Sequence, residues 1–260
     1  MAGSLQTLIR DLRLRRGRER RGLALAEGVR LVEEALGARI RFRGAATSPA
    51  LEGTARGRAL KAALEDAGVQ LVDVSDRELA ELADTEHPQG VIAVLEPRRW
   101  SWADLPAAPG SVVLVLDAVQ DPGNVGTILR TGHALGAAGV IALKGSAELH
   151  SPKVLRGSMG ALFRLPAFSA SPRELVQWMT DEEVELWVTE AGGEPLRKVA
   201  ARRSGRPAIA LALGNEGAGV SPELAARAAR RIGIPLAPGT ESLNVAVAAG
   251  ILLYEVTRAD

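Results

Sequence analysis

Apolar residues recur along the chain in two rhythms. Short apolar runs of strand length occupy residues 23–28, 39–46, 69–74, 90–95, 111–117, 139–143, 184–189, 208–213 and 231–236. Between them lie stretches with apolar residues at helical spacing: 5–20, 29–36, 54–67, 76–84 opened by Ser75, 126–135, 151–157, 172–179, 222–230 and 243–257. The runs at 111–117, 139–143 and 208–213 are almost continuously apolar, the pattern of strands buried on both faces. The alternation predicts an α/β chain whose larger part is a parallel sheet with helices on both sides. A smaller α/β domain is expected over residues 1–96, a linker rich in Pro, Gly and polar residues over 97–110, and the larger domain over 111–260. Trp100 and Trp102 in that linker are expected to pin it to a domain surface rather than to stack on a base.

Three polar interruptions follow strands of the larger domain. They are D-P-G-N-V-G-T-I-L-R at 121–130, L-G-N-E-G-A-G-V at 213–220, and S-L-N-V-A-V-A-A at 242–249, set behind Ile234-Pro235-Leu236. Ligands of parallel sheets bind at the carboxyl ends of strands, so these segments are expected to converge on one rim. The rim then carries two amides (Asn124 and Asn244), a guanidinium (Arg130), a carboxylate (Glu216) and a hydroxyl (Ser242). An Arg near a helix start can grip a phosphate in fork geometry, and the set suits phosphate or ribose handling. Two readings of Ser242 and Asn244 stand side by side. Both types are good helix N-caps, and burying either unpaired in an apolar segment costs roughly 1–3 kcal/mol, which calls for a partner from backbone or ligand. Glu216 likewise holds either a backbone turn or a polar group of a substrate.

Composition narrows the chemistry. The 260 residues are 47% hydrophobic, with no Cys and only three His (His87, His133 and His150). Disulfides, thiolate metal sites and cysteine nucleophiles are excluded, and no metal site is expected. No apolar stretch is long enough to span a bilayer, and the charged start does not read as a secretory signal, so a cytoplasmic location is expected. The 32 basic and 31 acidic residues nearly balance, but Arg10, Arg13, Arg15, Arg16, Arg18, Arg20 and Arg21 crowd one segment against Asp11 and Glu19. Such a cluster attracts phosphate backbones; its alternative is a solvated helix face. No G-x-G-x-x-G, P-loop or G-x-S-x-G elbow is present, which argues against a dinucleotide dehydrogenase, a P-loop NTPase and a serine hydrolase.

The N-x-G-x-x-x-R pattern (Asn124, Gly126, Arg130), the G-N-E-G-x-G turn (214–219) and I-P-x-x-x-G-x-x-S-L-N-V (234–245) resemble the three motifs of SpoU, or TrmH-type, RNA ribose 2′-O-methyltransferases. S-P-K-V-L-R-G-S-M-G-A (151–161) matches the stretch between the first and second motifs, and the likeness runs from about Val112 to Arg258. Residues 1–96 resemble the ribosomal-protein-like substrate-binding domain that often precedes it. The resemblance implies a trefoil-knotted α/β domain, an exception to the rule against knots. It implies S-adenosylmethionine held bent in the knot around Gly214, Ile234, Leu236, Leu243 and Val245, and a homodimer with the final helix at the interface. It further implies Arg130 nearest the reacting 2′-hydroxyl, positioned with the ribose by Asn124 and Asn244, with Glu216 and Ser242 beside them. RNA, rRNA rather than tRNA, would be held by the basic arm through Arg10, Arg13, Arg16 and Arg20, and by Arg156. One departure is Thr131-Gly132-His133, where the family commonly has T-A-D; His133 reads either as a packed surface residue or as an RNA contact. Competing readings are a catalytically silent RNA-binding protein and a nucleotide-binding enzyme that takes no RNA. Methyl incorporation into RNA separates them.

Overall fold

The computed structural model describes residues 2–196 and 207–257. Met1 of the basic arm and Arg258, where the motif-bearing region ends, lie outside them. The chain forms two compact units, one of Met1–Arg98 with His150–Phe163, the other of Arg99–Leu149 with Arg164–Asp260.

The first unit begins with α1 (Ala2–Arg13) and α2 (Arg15–Arg21), followed by β1 (Ala24–Glu27), α3 (Val29–Gly37), β2 (Arg41–Thr47), α4 (Pro49–Glu52), α5 (Ala55–Asp66), β3 (Leu71–Asp73), α6 (Asp76–Leu82) and β4 (Val91–Glu96). Its sheet runs β1-β4-β2-β3, with β4 antiparallel to both neighbours and β2 parallel to β3. Leu5, Ile9 and Leu12 share one face of α1 at helical spacing and are buried with Leu25, Val72 and Val94. Ser75 opens α6 with a capping box to Glu78, as its spacing suggests.

The single helix expected over 5–20 is two helices, broken at Leu14, whose backbone is extended (φ −88°, ψ 138°). A Cβ on Gly17 would lie 2.0 Å from the carbonyl oxygen of Asp11, so the second helix fits only because that residue is Gly. The buried Arg18 guanidinium donates from Nη1 to the carbonyls of Leu12 and Arg13, both at 2.8 Å. Those are end carbonyls of α1 that lack intrahelical partners. The basic arm is therefore part of this unit's core rather than a loose tail.

In the second unit, β5 (Val112–Asp117), α7 (Pro122–Ala134) and β6 (Gly139–Ala142) come first. The chain then passes through α8 (Pro152–Ser158), which belongs to the first unit, before β7 (Ala167–Ser169), α9 (Pro172–Asp181), β8 (Glu185–Pro195), β9 (Ile209–Gly214), α10 (Pro222–Ala225), β10 (Arg230–Gly233) and α11 (Val245–Thr257). The sheet order is β10-β8-β9-β5-β6-β7 and every neighbouring pair is parallel. β5 and β9 sit centrally and are buried at every position, as their apolar runs predict. The short edge strand β7 was not expected. The last strand, expected over 231–236, stops at Gly233, because Pro235 has no amide to give a ladder.

One boundary differs from the expectation. Residues 150–163, assigned above to the larger domain, pack in the first unit: Val154, Leu155 and Ser158 of α8 are buried, and Arg156 donates to Asp84 at 2.7 Å. The linker is packed through Trp102, in line with the pinning expected of it. Trp102 stacks on Trp178 (centroids 5.4 Å apart, planes at 27°) and meets Phe168 edge-on at 5.0 Å, with Leu105 buried in the same core. Trp102→Ala should lower stability by about 2–3 kcal/mol, somewhat less than the truncation of a fully buried aromatic. Urea unfolding followed by circular dichroism checks this, and a loss below about 0.5 kcal/mol would contradict the pinning role.

Candidate active site

β5 and β9 lie side by side, with Asp117 and Gly214 as register partners at their carboxyl ends. After β5 the chain turns through Ala118 in left-handed conformation (φ 57°). Asp121 then caps α7, its Oδ1 accepting from the Asn124 amide at 2.8 Å, with Pro122 in the first turn. The helix thus starts four residues before the expected 126, and Asn124 sits in its first turn. Arg130 lies farther along the same helix, exposed, and makes no hydrogen bond or ion pair among the described residues. His133 is also exposed.

After β9 the backbone folds back on itself. A Cβ on Gly214 would stand 2.0 Å from the Gly219 carbonyl carbon and 2.1 Å from the Val220 nitrogen, so no other residue fits there unless the backbone shifts. Asn215 closes the loop. Its backbone exchanges two hydrogen bonds with Gly219 (3.0 and 2.9 Å). Its Oδ1 accepts from the amides of Gly217 and Ala218 (2.9 and 3.0 Å), and its Nδ2 donates to the Ala118 carbonyl at 2.9 Å. The buried Asp117 carboxylate accepts from the Ser221 amide at 2.7 Å. Asn215 and Asp117 tie the loop to the end of β5, and the sequence reading missed both. The signals were an Asn inside a Gly-rich turn and an Asp ending an otherwise apolar strand.

The third segment meets the other two through side chains. Asn244 caps α11, its Oδ1 accepting from the amides of Ala246 (2.9 Å) and Val247 (3.3 Å). Its Nδ2 donates to Asn124 Oδ1 at 2.9 Å, and Asn124 Nδ2 donates to Glu216 Oε1 at 3.0 Å. Asn244 therefore acts both as a cap and as a contact across the rim. The burial argument for Ser242 is corrected: residues 242–244 are exposed, because α11 begins only at Val245, and Ser242 has no hydrogen bond among the described residues. Burial alone would raise the pKa of Glu216. Hydrogen bonds from Asn124 and from backbone amides, including those of Gln120 and Asp121, outweigh it and hold the carboxyl below its ordinary value.

A cleft of about 690 Å³ opens beside this chain of amides. Gly214, Ile234, Leu236, Leu243 and Val245, the expected cofactor residues, all line it, together with Glu216 and Ser242; Asn124, Arg130 and Asn244 do not. Two further carboxylates on its wall, Glu190 and Glu241, escaped the sequence reading; Glu190 is paired with Arg231 at 3.0 Å. No cluster of three or more metal-ligating side chains occurs among the described residues.

The expected RNA contacts lie in the first unit. Arg10 and Arg16 are exposed, Arg13 is exposed but gives Nη1 to the Glu81 carbonyl (2.9 Å), and Arg20 pairs with Asp11 (2.8 Å). The Arg156 guanidinium is held by Asp84 and lies 3.9 Å from the buried Glu27.

The SpoU rRNA Methylase family model matches residues 111–254, and the MRM3-like substrate binding domain model matches residues 7–93. An uncharacterized tRNA/rRNA methyltransferase of Synechocystis is 34% identical over 96% of this chain and 89% of its own length. The 23S rRNA (guanosine(2553)-2′-O)-methyltransferase of Bacillus subtilis is 34% identical over 74% of each chain. The crystal structure of the SpoU methyltransferase AviRb from Streptomyces viridochromogenes, in complex with S-adenosylmethionine, superposes with a TM-score of 0.86 at 29% identity, covering 97% of this chain and 96% of the other.

A carboxyl whose folded pKa is depressed contributes stability above its unfolded value and loses it as pH falls through the folded value. The link from Glu216 to Asn124 should therefore persist through neutral pH and fail only in acid. Carbon-13 NMR should give Glu216 a midpoint below 4.5, and Asn124→Ala should move that midpoint upward. An unchanged midpoint in the variant would disconnect the two residues.

Proposed function

We propose that this chain, which belongs to the SpoU rRNA methylase family, methylates a ribose 2′-hydroxyl of large-subunit ribosomal RNA. Methyl transfer from S-adenosylmethionine to an RNA ribose is its activity; the choice of RNA is the proposed part. The observation that carries the reading is the hydrogen-bonded run Asn244–Asn124–Glu216 at the mouth of the cleft. Large-subunit RNA is supported by the substrate-binding model over residues 7–93 and by relatives named for a guanosine, an adenosine and a uridine of 23S rRNA. Those bases differ, and the ribose is what they share.

The cleft suits S-adenosylmethionine. Ile234, Leu236, Leu243 and Val245 offer an apolar side for adenine, the close backbone at Gly214 leaves a flat floor, and Glu190, Glu216 and Glu241 complement the sulfonium and ammonium charges. When bound, that group supplies a methyl on a positively charged sulfur, and the thioether left behind is neutral and needs no acid. The protein must align the ribose oxygen and remove its proton. A guanidinium keeps its own proton in proteins, so Arg130 is assigned to grip a phosphate beside the target ribose, whose oxygen receives the hydroxyl proton. Asp121 caps α7 and Asn244 caps α11, and the bond between Asn244 and Asn124 joins the two helix starts and thereby positions Arg130. Ser242 offers its unengaged hydroxyl to ribose or phosphate, and Glu216 holds the β9 loop to Asn124. The chain path supports the trefoil threading: β10 is an edge strand, yet Asn244 beyond it reaches Asn124 beyond the central β5.

A second copy of the chain belongs to the same reading. Val247, Ile251 and Tyr254 form an exposed apolar stripe on α11 at helical spacing, and Ile251 also borders a small apolar cavity with Pro195, Leu196 and Pro235. The cytoplasm is the compartment the reading calls for; no helix among the described residues is long and apolar enough to cross a membrane.

Ile251→Glu should convert a dimer to monomers by light scattering; a wild-type monomer would remove the dimer from the reading. Incubation with labelled S-adenosylmethionine and RNA from a strain lacking the protein should label one nucleotide of the large-subunit RNA. Labelling of tRNA alone would overturn the choice of RNA. Arg130→Ala should reduce transfer by about 100-fold or more while cofactor affinity by calorimetry stays within a few-fold. Lost cofactor binding in that variant would make Arg130 structural.

A further inference from the structure

Among the described residues, five large hydrophobic side chains stand well exposed. Leu243, Val247, Ile251 and Tyr254 belong to the cleft and the outer stripe of α11; the fifth is Leu14, 66% exposed, at the elbow between α1 and α2. A single exposed leucine is ordinary. The construction beneath this one is what sets it apart.

Three features hold the elbow. Gly17 admits the close approach of the Asp11 carbonyl. Arg18, only 7% exposed, places a guanidinium inside the unit to satisfy the carbonyls of Leu12 and Arg13. Burying that charge is costly unless it is hydrogen-bonded, and here it is bonded to the two carbonyls that lead into the bend. Asp11 accepts from Arg20 at 2.8 Å and from Arg21 at 2.5 Å, which tie α2 back onto α1. The backbone at Leu14 is thus held in place and its side chain faces solvent. Its neighbours in sequence are Arg13, Arg15 and Arg16. Arg15 pairs with Glu19, and Arg16 makes no hydrogen bond or ion pair among the described residues.

An exposed apolar side chain at a braced bend, with cations at the adjacent sequence positions, suits a ligand that offers phosphates and an accessible apolar face together. Single-stranded or looped RNA does so, because its unstacked bases are open to side chains. A protein partner would ask for a contiguous apolar patch, and a continuous duplex hides its base faces. We infer that the α1–α2 elbow is an RNA contact in which Leu14 packs on an unpaired base while Arg16, with Arg13 and Arg15, holds the flanking phosphates. The inference rests on the RNA reading above and adds a point of contact to it.

The test is binding of the full chain to in vitro transcribed, protein-free 23S rRNA across a series of KCl concentrations. Leu14→Ala should weaken binding about fivefold to tenfold without changing the slope of log affinity against log salt, since an apolar contact releases no counterions. Arg16→Ala should reduce that slope by about 0.7–0.9. Leu14→Phe, which keeps an apolar face, should bind at least as well as wild type. Affinity for S-adenosylmethionine and the urea-unfolding midpoint by circular dichroism should be the same in all three, which shows that both units are folded. Wild-type affinity in Leu14→Ala overturns the inference while leaving the methyltransferase reading intact. A changed mass by light scattering with unchanged RNA affinity would assign the elbow to a second copy instead. A wild-type chain that neither binds nor methylates any RNA removes both readings.

Discussion

Two side-chain hydrogen bonds, Asn244 to Asn124 and Asn124 to Glu216, span sequence separations of 120 and 92 residues, and the candidate site depends on them. Each contributes only about 1–3 kcal/mol to stability. Their importance lies in direction. An ionised carboxylate can only accept, so the Asn124 amide must turn its nitrogen to Glu216 and its oxygen away. That oxygen then fixes Asn244 with its nitrogen inward, leaving the Asn244 oxygen for the first amides of α11. One negative charge thereby sets the orientation of two amides and the start of a helix. The depressed pKa of Glu216 keeps that charge in place at neutral pH.

The loop between Glu216 and the sheet is shaped by the absence of side chains as much as by their presence. At Gly214 two stretches of backbone pass too closely for any Cβ. Asn215 then gathers the amides of Gly217 and Ala218 onto one oxygen, so the turn's polar groups are largely satisfied from within. A pocket floor of this kind presents peptide groups rather than rotamers, and its shape loses little entropy when a ligand arrives.

The sheet of the second unit was legible because strands buried on both faces leave runs such as 112–116 and 209–213, which have no competing reading. The three interrupted segments were legible because they recur after strands of one sheet, although caps at Asp121 and Asn244 account for part of their polar content. What failed was local. The elbow at Leu14 depends on an Arg18 that looks like any other surface cation in the sequence, and on a Gly17 whose need is visible only from the carbonyl of Asp11. The early start of α7 was written in Asp121-Pro122, a cap followed by a proline, but Asn124 drew the eye away from it. Ser242 misled because apolar neighbours in sequence were taken for apolar neighbours in space. The ion pairs of Arg156 were invisible because its carboxylate partners, Asp84 and Glu27, are far away in sequence.

The position of α8 changes what the word domain means for this chain. The polypeptide crosses between the two units at residues 98–99, 149–150 and 163–164, so neither the second unit nor the first is a contiguous stretch. Cutting the linker leaves them covalently joined twice over. A gene fragment beginning at residue 99 would carry Val154 and Leu155 without the core that buries them, and Arg156 without its acids. A boundary drawn at the linker alone therefore assigns α8 to the wrong packing partner. A fragment meant to carry the second unit alone would have to replace Val154 and Leu155 with polar residues or supply the core that buries them.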